Sequence, residues 1–329
     1  MMKKYNVALV GASGVVGRKL LEILEERNFP INELTLLASE RSAGEKIKFN
    51  GQEYSVVAIS NEAFTEDMDI AFFAAGGSVS EKYAEAATSK GIVMIDNSSV
   101  YRMDKDVPLV VPEVNPEAVL QGNGIIANPN CSTTQCMLPL KPIHDKYGIK
   151  RVVYSTYQSV SGSGTAGLRD LEENVHEFYP YPINGNVIPQ IDLFLDNGYT
   201  KEEVKMIEET RKILNAPDMK LTATAVRVPV KYAHGVSVNL ELENEFQLED
   251  VMQMLRDFPG IVLKDDIKNE QYPVAQDAEG SDDVFVGRVR RDESLDNGLD
   301  LWVVADNIRK GAATNAIQIG ELLVKNWEA

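Results

Sequence analysis

The sequence predicts an α/β fold in two parts: a Rossmann-type doubly wound parallel sheet, plus a second α+β domain with a largely antiparallel sheet. Three observations carry that reading. Near-continuous apolar runs alternate with helical patterns over the first 130 residues, and period-two alternation replaces them from about Arg151. A glycine turn joins the first apolar run to the first helical pattern. With 329 residues and 44% hydrophobic content, the chain can bury the core that two domains need.

Tyr5 to Val10 is the first apolar run, and it ends in Gly11-Ala12-Ser13-Gly14-Val15-Val16-Gly17, after which Val16, Leu20, Ile23 and Leu24 recur at helical spacing. Further buried strands are expected at Leu34 to Leu37, Ile70 to Ala75, Ile92 to Ile95, Leu109 to Val111 and Ile125 to Ala127, with a helix over Glu81 to Lys90. Alternating strands follow at Arg151 to Val160, Leu221 to Val230, Val236 to Leu242, Val284 to Arg290 and Leu299 to Val304. Helices are expected near Leu168 to Phe178 and over Lys201 to Asn215, the second opened by Thr200 and Glu203 as a capping box. His176 to Gln190 is rich in Pro and Gly and reads as loop, as does the acidic stretch Lys264 to Asp283. Ala313 to Trp327 closes the chain as a helix with Ile317, Ile319, Leu322 and Leu323 for burial.

The formal charge of −17 opposes nucleic acid and anionic membrane surfaces as partners. No apolar run is long enough to span a bilayer, and the stretch from Met1 to Val10 reads as a strand rather than a signal peptide. Two cysteines five positions apart in one helical pattern are poorly placed for a disulfide, which fits a reducing, cytoplasmic setting. No cluster suggests a metal site.

Cys131 lies in Asn128-Pro129-Asn130-Cys131-Ser132-Thr133-Thr134, where a strand turns into a helix. A thiol there faces unpaired main-chain N–H groups that favour the thiolate, the nucleophilic form. Cys136, one turn further beside Met137 and Leu138, reads as a small buried hydrophobe. The helix start lowers a thiol pKa by about 1.5 units at most, so a base is wanted as well. Of His144, His176 and His234, the last sits at a break between two alternating strands, where sheets present reactive groups; the other two read as core or surface residues.

Gly11, Gly14 and Gly17 supply the tight turn and close main-chain approach that a dinucleotide pyrophosphate needs at a helix N-terminus. After the second strand, Ser39, Arg41 and Ser42 suit a ribose 2′-phosphate and favour NADP over NAD, whereas Glu40 favours the free ribose hydroxyl. Gly76-Gly77-Ser78, Asn97-Ser98-Ser99 and Cys131 all fall at strand carboxyl ends, where an open sheet binds its ligands.

These motifs, with Val111-Pro112-Glu113-Val114-Asn115, residues 156–164 (Thr-Tyr-Gln-Ser-Val-Ser-Gly-Ser-Gly) and residues 306–313 (Asp-Asn-Ile-Arg-Lys-Gly-Ala-Ala), resemble the aspartate-semialdehyde dehydrogenase family from Val7 to about Leu323. The resemblance implies Cys131 as nucleophile, His234 as general acid/base and Gln158 as the residue orienting substrate or its water. It implies Arg102 and Lys205 for phosphate, Arg227 for the substrate α-carboxylate and Glu202 for its amino group, with Asn130 also binding substrate. For the cofactor NADP it implies Gly11, Ser13, Gly14, Val15, Val16, Ser39, Arg41, Ser42, Gly76, Ser161, Gly162 and Asn307. The implied division is an NADP-binding domain, 1–130 with 311–329, and a catalytic and dimerisation domain, 131–310.

The implied reaction is the reversible, NADPH-dependent reductive dephosphorylation of L-4-aspartyl phosphate to L-aspartate 4-semialdehyde through a cysteine thioester. It would serve the biosynthesis of lysine, threonine, methionine and diaminopimelate, in a homodimer. Two departures stand out: Glu40 where the family more often has a small residue, and Gly235 after His234 where a polar residue is more usual, which predicts a looser histidine loop. Two rivals remain: a sister reductase of N-acetylglutamyl phosphate, disfavoured by Glu202 because an acetylated amine needs no carboxylate, and a non-catalytic redox sensor.

Overall fold

Strand β1 (Tyr5–Val10) takes the centre of the first sheet in the computed structural model, which describes residues 3–328. Helix α1 (Val15–Glu26) leads to β2 (Ile31–Ala38), and a hairpin of β3 (Lys46–Phe49) and β4 (Gln52–Ser55) precedes the short β5 (Val57–Ala58). Strand β6 (Ile70–Phe73), helix α2 (Gly77–Thr88), β7 (Val93–Asp96) and β8 (Ile125–Ala127) follow. The order is β5-β2-β1-β6-β7-β8 with every pairing parallel. Strand order reverses between β1 and β6, so their carboxyl ends form the crevice in which an open sheet binds ligands.

Tyr5, Val7 and Leu9 face one core, with Leu20 and Ile23 of α1 and Ile317 and Leu323 of the closing helix Thr314–Trp327. Ala8 and Val10 face the other, with Phe73, Tyr83 and Ala87. A sheet covered on both faces has no solvent side to alternate with, which is why its strands read as continuous apolar runs. The expected strand Leu109 to Val111 is reduced to one bridge, Leu109 to Ala127. Pro108 and Pro112 flank it, and proline cannot donate to a ladder.

The second unit spans Asn130–Gly311. It contains α3 (Cys131–Tyr147), β9 (Ile149–Gln158), α4 (Gly164–Glu172), α5 (Lys201–Ile213), β10 (Lys220–Arg227) and β11 (His234–Leu242). Then come α6 (Leu248–Asp257), β12 (Ile261–Leu263), α7 (Ala275–Ala278), β13 (Val284–Asp292) and β14 (Gly298–Ala305). The sheet order is β10-β9-β11-β14-β13-β12; the three inner pairings are antiparallel and the two outer ones parallel.

Val152, Tyr154 and Thr156 alternate into the core, and the Tyr154 hydroxyl meets Thr210 of α5 at 3.0 Å. On the opposite face Tyr157 stays exposed, with its ring edge-on to Trp302. The capping box of α5 forms as expected: the Glu203 N–H donates to Thr200 Oγ1, and the Thr200 N–H donates to Glu203 Oε2.

Two elements differ from the sequence reading. The helix expected near Leu168 to Phe178 is displaced to Gly164–Glu172, because the Asp170 carboxylate accepts the N–H groups of Glu177, Phe178 and Tyr179 and turns the chain there. His176 therefore lies in the irregular segment after α4 and not in a helix. Helix α6 went unpredicted, although Leu248, Val251 and Leu255 have helical spacing behind an acidic first turn.

Candidate active site

The crevice of the first unit is built by the glycine turn. Gly11 has φ +88°, and a Cβ there would stand 2.6 Å from Ala74 O at the end of β6; a Cβ on Gly17 would strike Gly11 O. Only glycine allows this approach of α1 to the strand ends. A cavity of about 350 Å³ opens there, lined by Gly11, Ser13, Gly14, Ser39, Ala75 and Val79 among others. Ser13 donates to Ser42 at 3.0 Å, which joins the turn to the loop after β2. Val15 and Val16 form the first turn of α1, Gly76 caps α2 with φ +87°, and Arg41 is exposed beside Ser39 and Glu40. Turn, cavity and hydroxyls fit a dinucleotide phosphate.

Arg102, expected to hold phosphate, is a buried member of this unit; it donates to the carbonyls of Asn128 at 2.8 Å and Asn97 at 2.9 Å. It is no solvated loop charge.

In the second unit Cys131 is the first residue of α3. Asn130 caps that helix: its Oδ1 accepts from the N–H groups of Ser132 at 2.9 Å and Thr133 at 3.3 Å. Two glutamates of α5, seven positions apart on one helix face, hold Asn130 in place. Glu209 accepts its N–H at 2.6 Å, and Glu202 accepts its Nδ2 at 2.8 Å. Glu202 also accepts from Gln158 Nε2 at 3.2 Å and lies 3.4 Å from Lys205 Nζ, which itself pairs with Asp192 at 2.7 Å. A carboxylate has about four lone-pair sites, so Glu202 keeps capacity for one further donor.

Gln135, one helical turn beyond Cys131, donates from Nε2 to the carbonyls of His234 and Val303, both at 3.2 Å. It ties the start of α3 to the start of β11. A Cβ on Gly311 would stand 2.7 Å from Cys131 Cβ, so that position admits no side chain without moving the thiol. Gly311 lies in the π-turn Arg309–Ala313, a distortion frequent at functional sites.

His234 is fully buried, and its Nδ1 lies 3.0 Å from both the main-chain N and the Oγ of Ser159. Burial and the Arg227 guanidinium hold the ring well below the usual imidazole range. Arg227 Nη1 donates to Ser159 O at 2.6 Å, while Arg227 Nε and His234 Nε2 are buried without a partner. Gly162 lies against both: a Cβ there would be 3.0 Å from Arg227 Nη1 and 3.4 Å from His234 Nε2. Asn307 Oδ1 accepts from Ser159 and Ser161 hydroxyls and from the Ala233 N–H at 3.1 Å.

Ten of the expected residues thus fall in the second unit, in two groups: Asn130, Gln158, Glu202 and Lys205 with Cys131 at the start of α3, and Ser161, Gly162, Arg227, His234 and Asn307 around Ser159. Sequence reasoning passed over Gln135, Ser159, Asp192, Glu209 and Gly311. Ser159 and Gly311 lay inside motifs already singled out, and Glu209 follows Glu202 at a helical repeat.

Gly235 does not loosen its neighbour, contrary to the sequence expectation. It is buried, paired with Tyr157 and Val304, and covered by the Trp302 ring, which a Cβ would meet at 2.6 Å. Cys136 is fully buried, and burial pushes its thiol far up, as expected of a core residue. The larger cavity of about 600 Å³ lies on the open face of the second sheet, between Tyr157, Ser237, Arg290 and Trp302, and none of the expected site residues lines it.

Comparison with known proteins gives a consistent answer. Family models described as "Semialdehyde dehydrogenase, NAD binding domain" and "Semialdehyde dehydrogenase, dimerisation domain" match residues 6–122 and 140–310. An aspartate-semialdehyde dehydrogenase of Aquifex aeolicus is 53% identical, with 98% of each chain covered. The crystal structure of aspartate semialdehyde dehydrogenase II from Vibrio cholerae, complexed with ASA, superimposes with a TM-score of 0.95 at 49% identity over 99% of both chains. The Candida albicans aspartate semialdehyde dehydrogenase with NADP gives 0.77 at 27% identity, over 98% of this chain and 99% of that one. With its glycine turn and capped cysteine helix in place, the chain belongs to the semialdehyde dehydrogenase family and, within it, to the aspartate-semialdehyde dehydrogenases.

Proposed function

We propose that this chain interconverts L-4-aspartyl phosphate and L-aspartate 4-semialdehyde with Cys131 as the acyl-carrying nucleophile. The observation that carries the reading is the N-terminus of α3: a thiol at its first position, with Asn130, Glu202 and Gln158 hydrogen-bonded to one another, and Arg227 and His234 both held by Ser159 in the same unit. In the reductive direction Cys131 Sγ attacks the acyl carbon and displaces phosphate, leaving a thioester. A thioester stays reactive enough for phosphate to enter or leave, which an ester of serine would not match. NADP supplies or takes up the hydride when bound.

The remaining roles follow from charge and geometry. Arg227, a buried cation with Nε unpartnered, suits the substrate α-carboxylate. Glu202, with room for one more donor, suits the α-amino group, and Gln158 beside it orients substrate or water. Lys205 and Arg102 serve phosphate. His234 presents Nε2 to the reacting acyl group. The turn residues Gly11, Ser13, Gly14, Val15 and Val16, with Gly76, take the cofactor phosphates; Ser39, Arg41 and Ser42 take the 2′-phosphate; Ser161, Gly162 and Asn307 complete the cofactor contacts. The protein acts as a homodimer through the open face of the second sheet, in the cytoplasm, within the synthesis of lysine, threonine, methionine and diaminopimelate.

The test is NADP⁺ reduction with L-aspartate 4-semialdehyde, with and without phosphate. Turnover that requires phosphate and disappears in Cys131→Ser is expected. Near-normal phosphate-dependent turnover in that variant would remove the proposal.

A further inference from the structure

The segment between α4 and α5 carries an acidic group that none of the roles above uses. Asp192 has φ +67°, in the left-handed region, where aspartate and asparagine are the side chains best tolerated. Its two carboxylate oxygens serve different donors. Oδ1 accepts the Leu193 N–H at 2.8 Å, which fixes the carboxylate against its own turn. Oδ2 accepts from Lys205 Nζ at 2.7 Å, which carries it across to α5.

The turn itself is held from both sides. Before it, Ile188 and Arg227 of β10 exchange main-chain hydrogen bonds at 2.8 and 2.9 Å. After it, the Lys201 N–H donates to Leu193 O at 2.9 Å, and the Tyr199 hydroxyl meets Thr222 of β10 at 2.9 Å. Asp192 therefore reaches Lys205 from a fixed backbone, and not as a loose surface chain.

Lys205 stands between two carboxylates. Glu202 Oε2 lies 3.4 Å from Nζ, a long bond, while Glu202 Oε1 accepts from Asn130 and Gln158. Asp192 is the nearer anion, at the length of a charge-assisted hydrogen bond. Lys201, at the start of α5, is a second cation whose field reaches Asp192. Solvent reaches the pair, since the Lys205 and Asp192 side chains are 24% and 31% exposed. A small anion can thus approach the ammonium, but only against a carboxylate already bound to it.

We propose that Asp192 sets the affinity for phosphate: its carboxylate holds the Lys205 ammonium and competes with phosphate for it, a role that rests on the function proposed above. Two anions drawn to one ammonium repel each other, so each weakens the hold of the other. The size of the effect is bounded, because an ion pair open to solvent shifts an equilibrium by up to about fivefold. In a reversible reaction phosphate must leave as readily as it enters. A carboxylate fixed beside the ammonium takes up the cation as the phosphate departs, and so favours release.

The test is the phosphate dependence of NADP⁺ reduction by the semialdehyde, at constant ionic strength, in the full chain. Asp192→Asn keeps the shape and an acceptor for the Leu193 N–H but removes the charge. The KM for phosphate should fall about fivefold, while the KM for the semialdehyde stays within about twofold. Asp192→Gly, which suits φ +67° and also lacks the carboxylate, should give the same fall. A KM for phosphate that is unchanged, or that rises in both variants, overturns the proposal; the rise would mean that Asp192 aims the ammonium at phosphate and does not compete for it.

A double-mutant cycle with Lys205→Met isolates the pair. Lys205→Met should raise the KM for phosphate about tenfold, the loss of one charge-assisted contact, and adding Asp192→Asn to it should change nothing further. A fivefold fall that persists without the lysine would make Asp192 a general repellent charge and overturns the competition. Titration of the unaltered protein and of Asp192→Asn with inorganic phosphate alone, followed by ³¹P line broadening, judges the same point without turnover. Tighter binding by the variant is expected; equal binding, or none by either protein, overturns the proposal. Turnover of the unaltered protein that needs no phosphate ends the functional reading instead, and the titration still decides the part played by Asp192.

Discussion

The glycine turn of the first unit and the thiol site of the second solve the problem of holding an anion by opposite means. Between Gly11 and Gly17 the chain works with main-chain atoms and depends on side chains being absent. In the second unit it works with side chains from positions 130, 158, 202, 227, 234 and 307, all buried and each held by another residue. A main-chain site is broken by adding an atom. A side-chain site is broken by removing one, since a deleted partner leaves a buried donor or acceptor unsatisfied.

Cys131→Ser gives the largest effect on this view. The exchange alters one atom, so the fold and its melting temperature should stay put while phosphate-dependent turnover falls by about 10⁴-fold or more, the scale seen when a covalent nucleophile is lost. A variant that kept a tenth of the activity would show that the side-chain site tolerates subtraction after all. Next in size is Glu202→Ala, which strips acceptors from Asn130 and Gln158. It should cost about 10²–10³ in kcat/KM and about 1–3 kcal/mol of stability. Glu202→Gln keeps an acceptor oxygen, so it should recover most of the stability but little of the kcat/KM, read by urea midpoints beside kinetics.

Gly17→Ala tests the other half by addition. The new Cβ meets Gly11 O, a main-chain atom that cannot swing aside, so α1 must shift away from the turn. Such overpacking costs about 1–3 kcal/mol. Addition of NADP should raise the melting temperature of the unaltered protein but much less that of Gly17→Ala. An equal shift in both would mean that the close approach of α1 matters to packing and not to the cofactor.

The same contrast explains what could be read from the residues alone. The strands of the first sheet and its glycine turn are written in neighbouring positions, so periodicity and three glycines sufficed. Cys131 could be placed at a helix start for the same reason, with its cap one residue away. Its wider surroundings could not: Glu209 meets Asn130 across 79 positions, Asn307 meets Ser159 across 148, and nothing local announces either pairing. Gly235 was misread because its reason lies in Trp302 on the adjacent strand β14. The displaced helix near residue 170 had its cause in a local carboxylate, Asp170, whose three main-chain donors become visible only once the following turn is folded.

The smallest effect separates the two regions by pH. No ionisable side chain lies between Gly11 and Gly17, whereas His234 is buried with its pKa held below the unfolded value of about 6.5. Below that value the unfolded chain binds a proton that the folded chain refuses, so unfolding gains. The stabilising contribution is therefore fully present above about pH 6.5 and is lost as the pH falls beneath it, by at most about 1.4 kcal/mol per pH unit. His144, its pKa also lowered by burial, acts in the same direction. Urea midpoints at about pH 7.5, 6.5 and 5.5 should fall in that order, and His234→Gln should flatten the series without levelling it, since His144 remains. A slope untouched by His234→Gln would mean that the folded protein charges this ring freely, which the Ser159 N–H and the Arg227 cation both oppose.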